Sequence, residues 1–177
     1  MVIVTDPDYV RSTPFAHVKP PLANGARIQP LYVPKNPHRS LRAAVAAANK
    51  REYESEAKLP QPGQHMEPLL IVNFGFNQRP SNREVKEYGD ENGLKLAPLR
   101  PIIGISEHYP GLNAVLNVYS LGVYALNLTA KEGGGSTQYF VAYCGQYKDV
   151  DIGPNIHSPN DPSERHDEAT WFAYVLA

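Results

Sequence analysis

Seven prolines fall within the first 37 residues of this chain, and they restrict its fold more than any other feature. They stand at positions 7, 14, 20, 21, 30, 34 and 37. Each proline fixes φ, removes a backbone donor and holds the preceding residue in extended geometry. The pattern therefore excludes a helix or a central strand over residues 1–37 and predicts an extended arm.

The pattern changes twice after this arm. Asn36 and Pro37 are typical of a helix start, and apolar residues then recur at helical spacing, so we predict one amphipathic helix over about 37–58. From residue 63 onward, short apolar runs separated by turn residues indicate strands. The predicted strands cover 69–74, 101–106, 114–129, 139–147 and 171–176, with a helical turn near 83–88, a hairpin turn at 131–136 and a loop over 149–169.

This order of segments predicts a mainly β or α+β protein. Five to six strands, joined mostly by hairpins, predict an antiparallel β-sandwich or barrel, preceded by the extended Pro-rich arm and one α-helix. We divide the chain into residues 1–62, a basic arm plus the helix, and residues 63–177, a β-domain with an acidic C-terminal loop. A chain of 177 residues is long enough to bury a core of this kind.

Charge is segregated along the chain, although the formal net charge is only −1. Residues 9–51 contain no Asp or Glu but eight Lys and Arg residues, whereas residues 146–177 contain six acidic residues and two basic ones. A basic front and an acidic back favour contact between the arm of one copy and the acidic region of another. Two alternatives remain: an arm that covers its own sheet, and an arm that follows a nucleic-acid backbone.

The contact residues fall into two sets. The basic set is Arg11, Arg27, Lys35, Arg39 and Arg42, with Phe15 and Tyr32 as apolar anchors. The acidic set, on another chain, is Asp149, Asp151, Glu164, Asp167 and Glu168. Because such a contact joins two different surfaces, it repeats into a ring or an extended array.

Three patterns resemble sites of known chemistry but match them incompletely. His157, Asp161 and His166 combine imidazole and carboxylate, which bind metals or transfer protons, but their spacing fits no zinc motif, so we predict a solvated acidic loop and no metal. Residues 149–155 match only the start of a calcium loop, and we predict a turn there. Cys144 is the only cysteine, which excludes an internal disulfide and favours a buried small side chain.

These observations favour a non-enzymatic structural protein, a subunit or accessory (cement-like) component of a multi-copy particle such as a virion or protein shell. We predict no cofactor and no membrane contact, with other copies or neighbouring subunits as partners. The N-terminus shows no signal-peptide pattern, which predicts synthesis in the cytoplasm and location in an assembled particle. Two other classes stay open: a ligand- or glycan-binding β-sandwich that uses tyrosines and Trp171, and a metal-dependent hydrolase that uses residues 157–168.

Overall fold

The described part of the chain forms one β-sheet with two helices whose bounds are described, and a few further helical residues. The structure is a computed structural model, and it describes residues 7–35, 43, 66–98, 101, 104–105, 117–119, 140–144, 150–154 and 162–177. The helices are α1, Pro7–Arg11, and α2, Asn82–Glu91. The strands are β1, Arg27–Pro34; β2, Met66–Asn73; β3, Leu94–Leu96; β4, Asn117–Tyr119; β5, Phe140–Cys144; β6, Val150–Pro154; and β7, Thr170–Leu176.

The sheet has the strand order β1-β2-β7-β4-β5-β6, and β3 also pairs with β7. All but one of the described pairs are antiparallel; β4 runs parallel to β7. The expectation of a mostly β protein is therefore confirmed, and the sheet is mixed rather than purely antiparallel. The strand predictions for 69–74, 139–147 and 171–176 correspond to β2, β5 and β7.

The proline-rich segment enters the sheet as its edge strand. Arg27–Pro34 pairs with β2 along its whole length, and β1 ends the strand order on that side. Pro30 and Pro34 are tolerated there because an edge strand has one side whose donors need no partner in the sheet. The exclusion of a helix from this segment was wrong, since Pro7 begins the short helix α1, where its missing donor is not needed.

Two further local predictions differ from the structure. Pro101, Gly104 and Ile105 are helical, although the apolar run over 101–106 was predicted to be a strand. Val150–Pro154 forms β6 beside β5, although the Asp, Gly and Pro content there was predicted to form a turn and a loop. In both cases tertiary context decided the outcome, and local composition does not encode that context. The predicted helix over 37–58 lies outside the described residues except for Ala43, which is helical, and the hairpin at 131–136 lies outside them entirely.

The core packs one face of the sheet against α2 and the segment before β1. Its buried residues include Phe15, Ile28, Val72, Val85 and Phe172. The helical turn predicted near 83–88 is part of the longer helix α2. Full burial of Phe15 ties the proline-rich segment to this core.

The other face of the sheet is buried as well. Leu31, Val33, Leu69 and Ile71 alternate with the core residues along β1 and β2, and each is at most 3% exposed. Gly104 approaches this face closely, because a Cβ atom placed on it would stand 3.0 Å from the Cβ of Val33. A strand that is buried on both faces has a nearly continuous apolar sequence, and β2 has such a sequence.

Candidate functional site

The start of α2 is fixed by a capping box. Ser81 accepts a hydrogen bond at its Oγ from the Glu84 backbone N–H (3.2 Å), and the Glu84 carboxylate accepts one from the Ser81 backbone N–H (2.7 Å). The Ser81 hydroxyl donates to the same carboxylate at 2.8 Å. Both side chains are therefore occupied in holding the helix end.

These hydrogen bonds set the charge of Glu84. They come from the backbone and side chain of Ser81 and lower the pKa of the Glu84 carboxyl below its usual value, and the nearby Arg165 and Arg83 guanidinium groups lower it further. The Arg165 Nη1 atom lies 3.7 Å from the Glu84 carboxylate and donates to the Arg79 carbonyl at 2.8 Å. An ionised Glu84 acts here as a cap.

The acidic segment before β7 docks on the same helix end through its main chain. The backbone N–H groups of Asn82 and Arg83 donate to the carbonyls of Glu164 (2.9 Å) and Pro162 (3.2 Å). The N–H of His166 donates to the Pro80 carbonyl at 3.0 Å. The N–H groups that would otherwise make a helix start an anion site are therefore already bonded.

A cleft of about 450 Å³ lies between this segment and α2. It is lined by Ser81, Arg83, Glu84, Glu87, Pro162, Ser163 and Arg165. Two cations and two carboxylates balance each other in this lining, and the Ser81 hydroxyl is bonded to a carboxylate rather than to a base of the kind a nucleophilic serine requires. The lining supports no catalytic assignment.

His166, one of the predicted metal ligands, has a structural role. It is 5% exposed, its Nε2 lies 2.6 Å from the Asn82 Oδ1, and its ring packs edge-on against Phe172. His157 and Asp161 lie outside the described residues. In the part of the chain that the structure describes, no group of three His, Cys, Asp or Glu residues could hold a metal ion.

The predicted basic contact residues lie at different places. Arg11 is exposed and pairs with Asp8 at 3.0 Å, one helical turn away. The Arg27 guanidinium lies over the Trp171 ring, 5.4 Å from its centroid. Lys35 is exposed just beyond β1, while Arg39 and Arg42 lie outside the described residues.

The two predicted apolar anchors differ in accessibility. Phe15 is fully buried in the core of its own chain, so we assign it to that core and not to a contact surface. Tyr32 is half-buried in β1. Burial of Tyr9, together with the nearby Tyr32, raises the pKa of Tyr9 to about 12. No local signal marked Phe15 as a core residue, because a lone aromatic between prolines looks the same whether it packs in its own domain or on a partner.

The predicted acidic residues are divided between two places. Glu164, Asp167 and Glu168 lie on the segment docked against α2, where Asp167 accepts from the Ala169 N–H and Glu168 from the Asn77 N–H, both at 2.8 Å. Asp151 lies in β6, which is the last of the described strands on the side of the sheet away from β1. Asp149 lies outside the described residues.

Strand register places Arg27 and Asp151 at nearly the same level on opposite edges of the sheet. The row that starts at Arg27 continues through Asn73, Trp171, Val118, Cys144 and Val150. Asp151 ends the neighbouring row, which starts at Ile28. The two edges are roughly 24 Å apart at the usual strand spacing.

Sequence reasoning missed two exposed apolar side chains at this end of the sheet, Leu22 and Phe76. The signal that could have found them was the glycine beside each loop tip, Gly25 and Gly75, both of which have positive φ.

Comparison with protein-family models, with curated protein sequences and with solved structures finds no match to this chain. Among the helices that the structure describes, none has the length and apolar character needed to cross a bilayer.

Proposed function

We propose that this chain is a structural protein, a subunit or accessory (cement-like) component of a multi-copy particle such as a virion or protein shell, made in the cytoplasm. Copies contact one another through a basic edge and an acidic edge. The basic edge is the start of β1 with Arg27, and the acidic edge is β6 with Asp151. The observation that carries the proposal is the placement of Arg27 and Asp151 in adjacent register rows at opposite edges of one sheet.

Opposite edges of one sheet suit a repeating contact. When two copies lie side by side with their sheets in line, the basic edge of one lies next to the acidic edge of the other, and Arg27 is one row from Asp151. The contact uses two different surfaces, so every copy keeps one open edge for a further neighbour. Complementary charge of this kind sets the register of the contact and speeds encounter.

The contact uses side chains and not a continuous sheet. Pro30 and Pro34 remove donors from β1, so its outer edge is a poor template for another strand. Natural edge strands use proline and charge to prevent uncontrolled sheet extension, and here Arg27 begins β1 and Lys35 follows its end. Specific charge pairing without strand pairing favours an ordered array over aggregation.

The other classes have less support among the described residues. Trp171 is 2% exposed and lies under Arg27, so it is not available to line a glycan groove. His166 is buried and bonded to Asn82, which argues against a hydrolytic metal site on residues 157–168. The cleft beside α2 has two cations and two carboxylates, and its Ser81 hydroxyl is bonded to Glu84.

We further propose that the body is a β-sandwich in which the mixed sheet keeps its two edges open, with the segment before β1 serving as an arm along it. Burial of both faces of β1 and β2 supports this, because a single open sheet packed on one face would leave Leu31, Val33, Leu69 and Ile71 in water.

A charge exchange tests the assembly proposal on the full chain. Native mass by light scattering or mass photometry is measured against salt for wild type, Arg27→Glu and Asp151→Arg, each alone and then mixed. Each variant alone should assemble less than wild type, because one contact partner is repelled. The mixture should regain assembly, since the two introduced side chains of opposite charge would meet at one contact and the native pair would form at the next.

Lys86→Glu provides the matched control, because Lys86 is an exposed cation on α2 away from both edges. It changes the net charge by the same amount as Arg27→Glu and should assemble like wild type. A wild-type chain that stays monomeric at all salt and protein concentrations would refute self-assembly. If Lys86→Glu loses as much assembly as Arg27→Glu, the total charge of the protein matters and not the two edges.

A further inference from the structure

Two Asn–Gly dipeptides occur in this chain, Asn24–Gly25 and Asn92–Gly93. Such a dipeptide can react with itself, because glycine has no Cβ and its backbone nitrogen can therefore approach the side-chain amide of the preceding asparagine. Each dipeptide lies in a turn just before a strand, β1 in the first case and β3 in the second. The two sites differ in the hydrogen bonds made by the reacting groups, so the structure predicts that they differ in reactivity.

The reacting groups of Asn92–Gly93 are bonded at the end of α2. The Asn92 Nδ2 donates to the Tyr88 carbonyl at 2.8 Å, and the Asn92 side chain is only partly exposed. The Gly93 N–H, which would be the nucleophile, donates to the Asp90 carbonyl at 3.4 Å. Both bonds have to open before the Gly93 nitrogen can reach the Asn92 side chain, and this protects the second dipeptide.

The reacting groups of Asn24–Gly25 are exposed to reaction. Asn24 is exposed, and in the part of the chain that the structure describes neither its side-chain amide nor the Gly25 N–H forms a hydrogen bond. Other groups hold this turn: the Ala26 N–H donates to the Ala23 carbonyl at 3.1 Å, and the Phe76 N–H donates to the Asn24 carbonyl at 2.9 Å. The fold therefore forms the turn without engaging the two groups that react.

We propose that Asn24–Gly25 is a self-modification site, at which the chain loses ammonia and gains a carboxylate. The Gly25 nitrogen gives up its proton to solvent and forms a bond to Asn24 Cγ. The Cγ–Nδ2 bond breaks, and Nδ2 takes up a proton and leaves as ammonia. Water then adds to either carbonyl of the resulting cyclic imide and breaks its bond to the Gly25 nitrogen, which leaves aspartate or isoaspartate at position 24. The reaction consumes water alone.

Either product changes the charge at the start of the basic edge. Residues 9–51 contain no Asp or Glu, so the new carboxylate is the first one in that segment, and it lies three residues before Arg27. Isoaspartate also changes the turn, because the main chain then runs through the former side chain and is longer by one carbon. The Asn24 carbonyl that accepts from the Phe76 N–H becomes a free carboxylate in that product.

The effect on assembly rests on the proposed function, whereas the modification itself does not. A carboxylate near Arg27 makes the basic edge less complementary to the acidic edge of another copy. Since the lost ammonia is not replaced, the change is one-way and accumulates with the age of the chain. We therefore expect an aged chain to assemble less readily than a freshly made one.

The test follows both dipeptides in one sample of the full, folded chain, incubated at low protein concentration and mildly alkaline pH. Peptide mass spectrometry, with fragmentation that distinguishes aspartate from isoaspartate, gives the extent of conversion at each position. Asn24 should convert at least about tenfold faster than Asn92, because the hydrogen bonds at the second site must open first. In denaturing urea the two rates should become similar, because the fold no longer protects Asn92.

Asn24→Gln is the matched variant, because it keeps an amide but its longer side chain closes the imide ring poorly. It should stop conversion at position 24 and leave the rate at Asn92 unchanged. Equal rates at the two sites in the folded chain, or a faster rate at Asn92, would overturn the inference whether or not the protein assembles.

Native mass against protein concentration then compares Asn24→Asp with wild type. Asn24→Asp should shift assembly to higher protein concentration, and assembly identical to wild type would refute the effect on the basic edge. A wild-type chain that never assembles would refute the proposed function, while conversion at position 24 would still establish the modification site.

Discussion

Arg27 and Trp171, which lie near opposite ends of the sequence, share one row across β1, β2 and β7, with the guanidinium 5.4 Å from the indole centroid. Asn73 lies between them in the row. The arrangement covers a nearly buried ring with an exposed cation. It links the edge strand to a strand in the interior of the sheet.

Loss of this stacking should weaken the sheet measurably. Arg27→Ala should lower the free energy of unfolding by about 0.5–1 kcal/mol, the usual strength of an exposed cation–π contact. Urea denaturation followed by fluorescence reports it directly, because Trp171 is the only tryptophan. Lys35→Ala, which removes an exposed cation at the other end of β1, should change the unfolding free energy less; equal effects would contradict the contact.

The helix cap should contribute in the usual range for such caps. Ser81→Ala removes the oxygen that accepts from the Glu84 N–H and leaves the Glu84 carboxylate without its hydroxyl partner. We expect a loss of about 1 kcal/mol in unfolding free energy. Lys86→Ala on the exposed side of the same helix should be nearly neutral, and a comparable loss there would mean that helix propensity and not capping is being measured.

Glu84 should make stability depend on pH in the acidic range. Its pKa is lower in the folded protein than in the unfolded chain, because the charged form accepts the Ser81 hydrogen bonds. The contribution is therefore fully present above the ordinary glutamate pKa and is lost as the pH falls through the folded value. Denaturant titrations from neutral to acidic pH should show the advantage of wild type over Glu84→Gln shrinking in that direction; an advantage that grows on acidification would reverse the assigned shift.

Asn73 should be sensitive to the chemistry of its replacement. Its Nδ2 donates to the Glu168 and Thr170 carbonyls at 2.9 and 3.0 Å, while its Oδ1 accepts from the Gly75 N–H. Asn73→Asp keeps the acceptor but turns a carboxylate toward two carbonyl oxygens. We expect it to destabilise at least as much as Asn73→Ala, by about 2 kcal/mol or more, in thermal or urea unfolding. A stable aspartate variant would show that these two carbonyls do not need the donor.

The hydroxyl of Tyr174 should stabilise the packing of α2 on the sheet. It donates to the Val85 carbonyl at 2.7 Å inside the core, and burial raises its pKa well above the ordinary value. Tyr174→Phe should cost about 1 kcal/mol, with the ring packing unchanged. The control is Tyr9→Phe, at a half-buried tyrosine outside this core. If Tyr174→Phe leaves the unfolding free energy unchanged, water or another donor has replaced the hydroxyl.

Sequence alone determined where the strongest strands lie and which backbone conformations the first 37 residues can adopt. β2 and β7 are runs of β-branched, aliphatic and aromatic residues, and such runs have few alternatives to a buried strand. The prolines restricted β1 to an edge, because they remove donors wherever the segment pairs. The charge segregation between residues 9–51 and 146–177 is also a property of the sequence.

Tertiary structure alone decided which segments pair and which side chains are left outside. Composition at Val150–Pro154 favours a turn, but pairing with β5 makes it a strand. The burial of Phe15 and the exposure of Phe76 cannot be told apart locally, because both are single aromatic residues in loop-like sequence. The same holds for Arg27 and Asp151, whose similar level follows from the pairing of six strands and not from the residues themselves. Local pattern records the preferences of neighbouring residues, whereas register and burial depend on contacts between residues distant in the chain.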